Sequence, residues 1–106
     1  MNEVTEPRCG CIAAALKILG DKWSGFIIRE LTAGPRRFSE LQAALTGISP
    51  RTLSQRLDFL EAEAVIIKKT YAEVPPRVEY SLTPKGEDLT PILQSMIAWG
   101  DKYAKN

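Results

Sequence analysis

The stretch Gly47-Ile48-Ser49-Pro50-Arg51-Thr52-Leu53-Ser54-Gln55-Arg56-Leu57-Asp58-Phe59-Leu60-Glu61-Ala62-Glu63 decides the fold. Ser49 offers a side-chain oxygen to the free N–H groups of a first helical turn and reads as an N-cap. Pro50 follows at the one helical position where a missing N–H costs nothing. Leu53, Leu57, Leu60 and Ala64 then recur at i, i+4, i+7 and i+11, the inward stripe of an amphipathic helix over residues 50–63. Steps of about 100° per residue put Arg51 and Gln55 nearly opposite that stripe, with Thr52 and Ser54 on its flanks. Side chains of this kind near a helix N-terminus can donate to phosphates and to base edges, and the helix dipole there favours negative charge. A DNA recognition helix is expected.

Upstream, Ser39 and Gln42 read as a reciprocal capping pair, opening a short helix with Leu41 and Leu45 inward. It ends at Thr46-Gly47, and Ile48 plugs the turn. Two helices joined by a three-residue turn containing glycine make a helix-turn-helix. Before it, Asp21 caps a helix over residues 22–33 whose Trp23, Phe26, Ile27 and Leu31 form a core face, and Gly34-Pro35 ends that helix. Residues 12–19, Ile-Ala-Ala-Ala-Leu-Lys-Ile-Leu, are helix formers with apolar positions nearly all round, so something must cover them. Residues 1–8 read as a flexible polar arm.

Downstream, Val65-Ile66-Ile67-Lys68-Lys69-Thr70-Tyr71 is rich in β-branched residues. Val78, Tyr80 and Leu82 alternate with Arg77, Glu79 and Ser81 at the period of a half-buried strand. Ala72-Glu73-Val74-Pro75-Pro76 cannot continue a ladder, because proline has no N–H to give. A hairpin with a stiff tip follows, and helix, helix, hairpin in that order is a winged helix. Arg77, at the base of the tip, is placed to enter a minor groove. Thr83-Pro84 repeats the cap signature. Pro91 interrupts the last helical region with a kink or fresh start, and Thr90 reads as its second cap. Leu89, Leu93, Met96, Gly100 and Tyr103 recur at helical spacing, with Ile92, Ile97 and Trp99 beside them. The fold class is mainly α with a small β-hairpin.

The bulk numbers agree with one ordinary globular domain, since 106 residues with 44% hydrophobic and 25% charged side chains can bury a modest core. The net charge of +1 hides a pattern: residues 34–58 and 65–85 each hold four basic and two acidic residues, net +2, which leaves −3 elsewhere. Positive charge is concentrated on the segments that would face a phosphate backbone. No apolar run approaches the ~20 residues of a membrane span, and residues 1–7 are polar and acidic, unlike a secretory signal. A cytoplasmic protein is expected.

With these residues in hand, the chain resembles the HxlR-type winged-helix transcriptional regulators, relatives of the MarR group. The resemblance is carried by Gly20-Asp21-Lys22-Trp23, Arg29-Glu30-Leu31, Gly34-Pro35-Arg36-Arg37-Phe38-Ser39-Glu40-Leu41, Gly47-Ile48-Ser49-Pro50, Leu53 and Gln55-Arg56-Leu57. It continues through Tyr71, Glu73-Val74-Pro75-Pro76-Arg77-Val78-Glu79-Tyr80 and Ser81-Leu82-Thr83-Pro84-Lys85-Gly86. The family implies a sequence-specific regulator that binds double-stranded DNA as a homodimer, on a pseudo-palindromic operator. Residues 9–106 then form one winged-helix domain, with helices over 12–19 and 84–103 pairing two protomers. Ile12, Leu16, Leu19, Leu89, Ile92, Leu93, Met96, Trp99 and Tyr103 are the expected dimer contacts. The expected DNA contacts are Arg51, Thr52, Ser54 and Gln55 on the recognition helix and Ser49 at its cap. Arg36 and Arg37 stand before the preceding helix, Arg56 on the flank, and Arg77 on the wing (residues 71–80). Arg56 lies close enough to the apolar stripe to pair with an acidic neighbour instead.

Family members commonly carry an N-terminal cysteine that in some of them senses oxidants or electrophiles. This chain has two, Cys9 and Cys11, as candidate thiol sensors. Counting back from Trp23, the family's position falls at about Gly10, between them, and the Pro and Glu that follow the cysteine in the family are absent. The chain has no histidine, which removes Ser-His and Cys-His nucleophile pairs and histidine metal sites. Cys9-Gly10-Cys11 supplies too few ligands for a closed zinc site, and no glycine-rich phosphate loop occurs. The expectation is a non-enzyme without cofactor or metal. The rivals are a winged-helix protein–protein adaptor and a regulator gated by its cysteines.

Overall fold

The computed structural model describes residues 10–104. Its elements run α1 (Gly10–Leu19), α2 (Lys22–Leu31), α3 (Phe38–Ala44), α4 (Pro50–Ala62), β1 (Ile66–Tyr71), β2 (Arg77–Leu82), α5 (Pro84–Glu87) and α6 (Thr90–Tyr103). The two strands pair antiparallel, from Ile66 opposite Leu82 to Tyr71 opposite Arg77. Arg36 adds a single bridge to the free edge of β2, exchanging both backbone hydrogen bonds with Tyr80 at 3.0 and 2.8 Å. This mainly helical chain with one hairpin is a winged helix-turn-helix. The arm expected over residues 1–8, and Cys9, lie outside the described residues.

One apolar core joins the helices to the root of the hairpin. Ile27, Ile28 and Leu31 of α2 meet Leu41 of α3, Leu53, Leu57 and Leu60 of α4, then Val65, Ile66 and Leu93. Burial of a side chain of this size contributes roughly 1.5–3 kcal/mol, so the stripe on α4 fixes which face that helix turns outward. Ile48 is buried as the expected plug. Gly47 permits the turn: its φ of +92° is a backbone state that a Cβ would strain.

Several local expectations give way to tertiary contacts. On α2 the buried set is Ser24, Ile27, Ile28 and Leu31, an i, i+3, i+4, i+7 stripe. Phe26 sits off that stripe and stays 38% exposed, so it is not a core residue. The helix also stops at Leu31 rather than Ala33. On α3 the N-cap is Arg37, not Ser39, and Glu40 rather than Gln42 reaches back to accept the Arg37 N–H at 2.8 Å. The bridge to Tyr80 holds Arg36 extended, and the chain enters the helix directly after it. The helix-to-helix turn accordingly spans residues 45–49, five residues rather than three.

Ala64 does not extend the stripe of α4. It lies beyond the helix with φ +63°, turning the chain so that Val65 and Ile66 enter the core. At the far end α5 is a single turn capped by Thr83, whose hydroxyl accepts the Gly86 N–H at 3.0 Å. The chain then starts afresh with Leu89, not Thr90, as N-cap of α6. Leu93 is 7% exposed and belongs to the protomer's own core, which removes it from the expected dimer contacts.

Candidate nucleic-acid interface

The outer face of α4 is built by its cap and its stripe. The Ser49 hydroxyl oxygen accepts the Thr52 N–H at 3.0 Å, and the two hydroxyls are 3.0 Å apart, so the first turn is held rigidly. With Leu53, Leu57 and Leu60 inward, Arg51, Ser54 and Gln55 are exposed and Thr52 is half-buried. Among the described residues no carboxylate forms an ion pair with Arg51, Arg36 or Arg37. Arg37 is exposed just ahead of α3, whereas Arg36 is half-buried and donates to the Pro35 carbonyl at 3.1 Å. The acidic residues Asp58 and Glu61 fall in the second half of α4. Phosphate is therefore attracted to its first two turns and repelled from its last, the polarity with which a recognition helix enters a groove.

The other two arginines are committed elsewhere. Arg56 Nη1 lies 3.1 Å from Asp21 Oδ2, and the guanidinium sits 5.0 Å from the centre of the Phe59 ring. Asp21 is also the N-cap of α2, accepting the Trp23 and Ser24 N–H groups at 3.0 and 2.9 Å and the Ser24 hydroxyl at 2.7 Å. Burial works to raise the Asp21 pKa, but the Ser24 hydrogen bonds and the Arg56 charge outweigh it, so its carboxyl stays below the ordinary aspartate value. On the hairpin, Arg77 donates to Glu73 at 2.8 Å and to Glu79 at 2.9 Å, with its guanidinium 3.9 Å from the centre of the Tyr71 ring. Lys68 and Lys69 on β1 stay exposed. The cap role of Asp21 was legible in the sequence. Its partner 35 residues away was not, and neither were the partners of Arg77.

Away from this face, Ile12 and Leu16 on α1 and Ile92, Met96, Ile97, Trp99 and Tyr103 on α6 are exposed, Trp99 by 65%. Leu19 and Leu89, expected beside them, are partly buried against the protomer's own core. A groove of about 330 Å³ runs between the α1–α2 corner and α6, floored by Leu19, Phe26, Leu93, Met96 and Ile97 with Lys22 and Arg29 at its rim. Cys11 lies in the first turn of α1. No helix among the described residues is long and apolar enough to cross a membrane.

A helix-turn-helix with an uncommitted polar face, followed by a two-stranded wing, defines a DNA-binding module. The model of the HxlR-like helix-turn-helix family matches residues 18–106. The chain is 44% identical over 89 residues to the uncharacterized HTH-type transcriptional regulator YkvN of Bacillus subtilis (strain 168), which covers 84% of this chain and 75% of that one. It superposes on the redox regulator HypR in its oxidized form with a TM-score of 0.84 at 35% identity, over 90% of this chain and 98% of the other. Against the reduced form of the transcriptional regulator YodB from B. subtilis the TM-score is 0.83 at 35% identity, over 93% and 97% of the two chains. The chain belongs to the HxlR-like family of helix-turn-helix regulators, and it is a DNA-binding regulator of transcription.

Proposed function

We propose that the protein works as a homodimer on a two-fold-related operator, each α4 entering a major groove by its first two turns with the hairpin alongside at the minor groove. The observation that carries this reading is the outer face of α4, where Arg51, Ser54 and Gln55 stand free opposite three buried leucines. Arg51 and Gln55 are the base-reading pair, since guanidinium and carboxamide groups make bidentate contacts to guanine and adenine edges. Thr52 supports them, and Ser49, Arg36 and Arg37 meet phosphates.

Pairing of protomers is supported by the unburied apolar faces of α1 and α6. Their contact residues are Ile12, Leu16, Ile92, Met96, Trp99 and Tyr103, with Leu19 and Leu89 at the margin. The open shape agrees: the radius of gyration is 15.8 Å, against about 13 Å for a compact chain of ~100 residues. Two-fold pairing sets the half-sites roughly one turn of duplex apart, about 34 Å.

The test is selection of duplexes from a random-sequence library by the full chain, with a salt titration and sedimentation at micromolar concentration. A dimer, an enriched two-fold motif and a steep negative slope of log affinity on log salt are expected. A monomer that enriches nothing in dilute buffer overturns the reading. The likeness to HypR, a redox regulator, favours a second reading, in which thiol chemistry gates this binding. On that reading alkylation of Cys9 and Cys11 changes affinity for the selected duplex, and full binding after complete alkylation discards it.

A further inference from the structure

We propose that Asp21 and Arg56 are a positioning pair that sets how α4 is presented to DNA, with Arg56 holding the helix from its flank rather than reaching the duplex. The inference rests on the reading of α4 as the recognition helix. It begins with the rigidity of the carboxylate. Both Asp21 oxygens are fixed at the start of α2, one by two backbone N–H groups and the other by the hydroxyl of Ser24, which is fully buried. The oxygen that accepts from Ser24 also accepts from Arg56. The guanidinium is folded back over Phe59, one turn further along its own helix.

Helical spacing separates the two kinds of residue. Gln55 lies about 40° around the axis from Arg51, whereas Arg56 lies about 140° away, between the groove-facing strip and the leucine stripe. The leucine stripe fixes which face α4 turns outward, but apolar packing is non-directional and restrains small rotations about the axis less sharply than a directed bond does. A charge-assisted hydrogen bond to a fixed carboxylate is directional and supplies the missing restraint. Base reading tolerates errors of only about 0.5 Å or 10–20°, so losing that restraint degrades readout before it degrades folding. Because α2 packs against both α4 and α6, the pair also ties the angle of the reading face to the part of the fold that faces a second protomer.

The experiment uses the full chain, a duplex enriched by the wild type from a random-sequence library, and unselected random duplex as control. Asp21→Asn keeps a good N-cap residue while discharging the pair, and Arg56→Gln removes it from the other side. Both variants are expected to keep the wild-type melting temperature to within a few degrees. Each should bind the selected duplex about three- to fivefold more weakly, with little change on random duplex. The double variant should be no worse than the weaker single one, and the salt slope should stay at the wild-type value.

The sign for Asp21→Asn is decisive. If Arg56 contacted phosphate, neutralising Asp21 would release it and tighten binding, while Arg56→Gln would lower the slope by about one unit for each phosphate it no longer neutralises. Either result overturns the proposal, as does unchanged discrimination in both variants. Failure of the wild type to enrich any duplex would instead count against the reading of α4 itself.

Discussion

The segment that leads into the recognition helix (residues 34–58) and the one that holds the hairpin (65–85) carry the same net charge of +2, yet the helix and the hairpin are held in opposite ways. Three fully buried leucines seat α4, and its leading arginine is left uncommitted. No residue of β2 is fully buried, and Arg77 is spoken for by Glu73, Glu79 and the Tyr71 ring. Lys85 is similarly engaged, donating to the Glu63 carbonyl at 2.7 Å. What a basic segment can offer to a phosphate backbone is the cations left after internal pairing. By that measure α4 has Arg51, with the exposed Arg37 just ahead of α3, and the hairpin has Lys68 and Lys69.

The contrast can be broken from the inside of the helix. Leu57→Ala empties a fully buried position and is expected to cost about 2–5 kcal/mol of folding stability, read from denaturant midpoints. Val78→Ala, half-buried on β2, should cost visibly less. Equal losses would mean that the hairpin is seated as firmly as α4. The contrast is sharpened from the outside by two arginines. Arg51→Ala should weaken binding to a selected duplex by about 1–3 kcal/mol and relax base preference at one position in each half-site. Arg77→Ala should give a smaller loss, shared by selected and random duplexes, because the side chain braces the hairpin before it can meet DNA. A loss from Arg77→Ala as large as that from Arg51→Ala, measured by the same titration, would move the centre of recognition to the wing.

These contrasts follow the range over which each interaction acts. Asp21, Ser49 and Thr83 bond to N–H groups two or three residues ahead, so their roles were legible in a window of a few letters. The stripe of α4, the plug Ile48 and the hairpin were legible for the same reason, as periodicities or turn chemistry. The start of α3 was not, because a strand 44 residues later holds Arg36 extended. Phe26 was misread because spacing alone cannot say which of two neighbouring faces a helix packs with. Arg77 looked like an available cation, and Arg56 like either a DNA contact or half of an ion pair, because their carboxylates come from a folded hairpin in one case and from the cap of another helix in the other. On α4, the free face opposite the stripe was readable beforehand, since helix geometry alone dictates it.

The exit of α4 is clasped by the residues that open α5. The Thr83 hydroxyl donates to the Ala64 carbonyl at 2.6 Å, the Thr83 N–H donates to the Val65 carbonyl at 3.0 Å, and Gly86 packs against that carbonyl with no room for a Cβ. Three residues separate this clasp from the first turn of α6. In the proposed dimer, a tilt of α6 as the two subunits seat against each other would therefore act almost at once, as through a short lever, on the tail of the helix that reads the duplex. That pairing would set grip between subunits and aim at DNA at one joint.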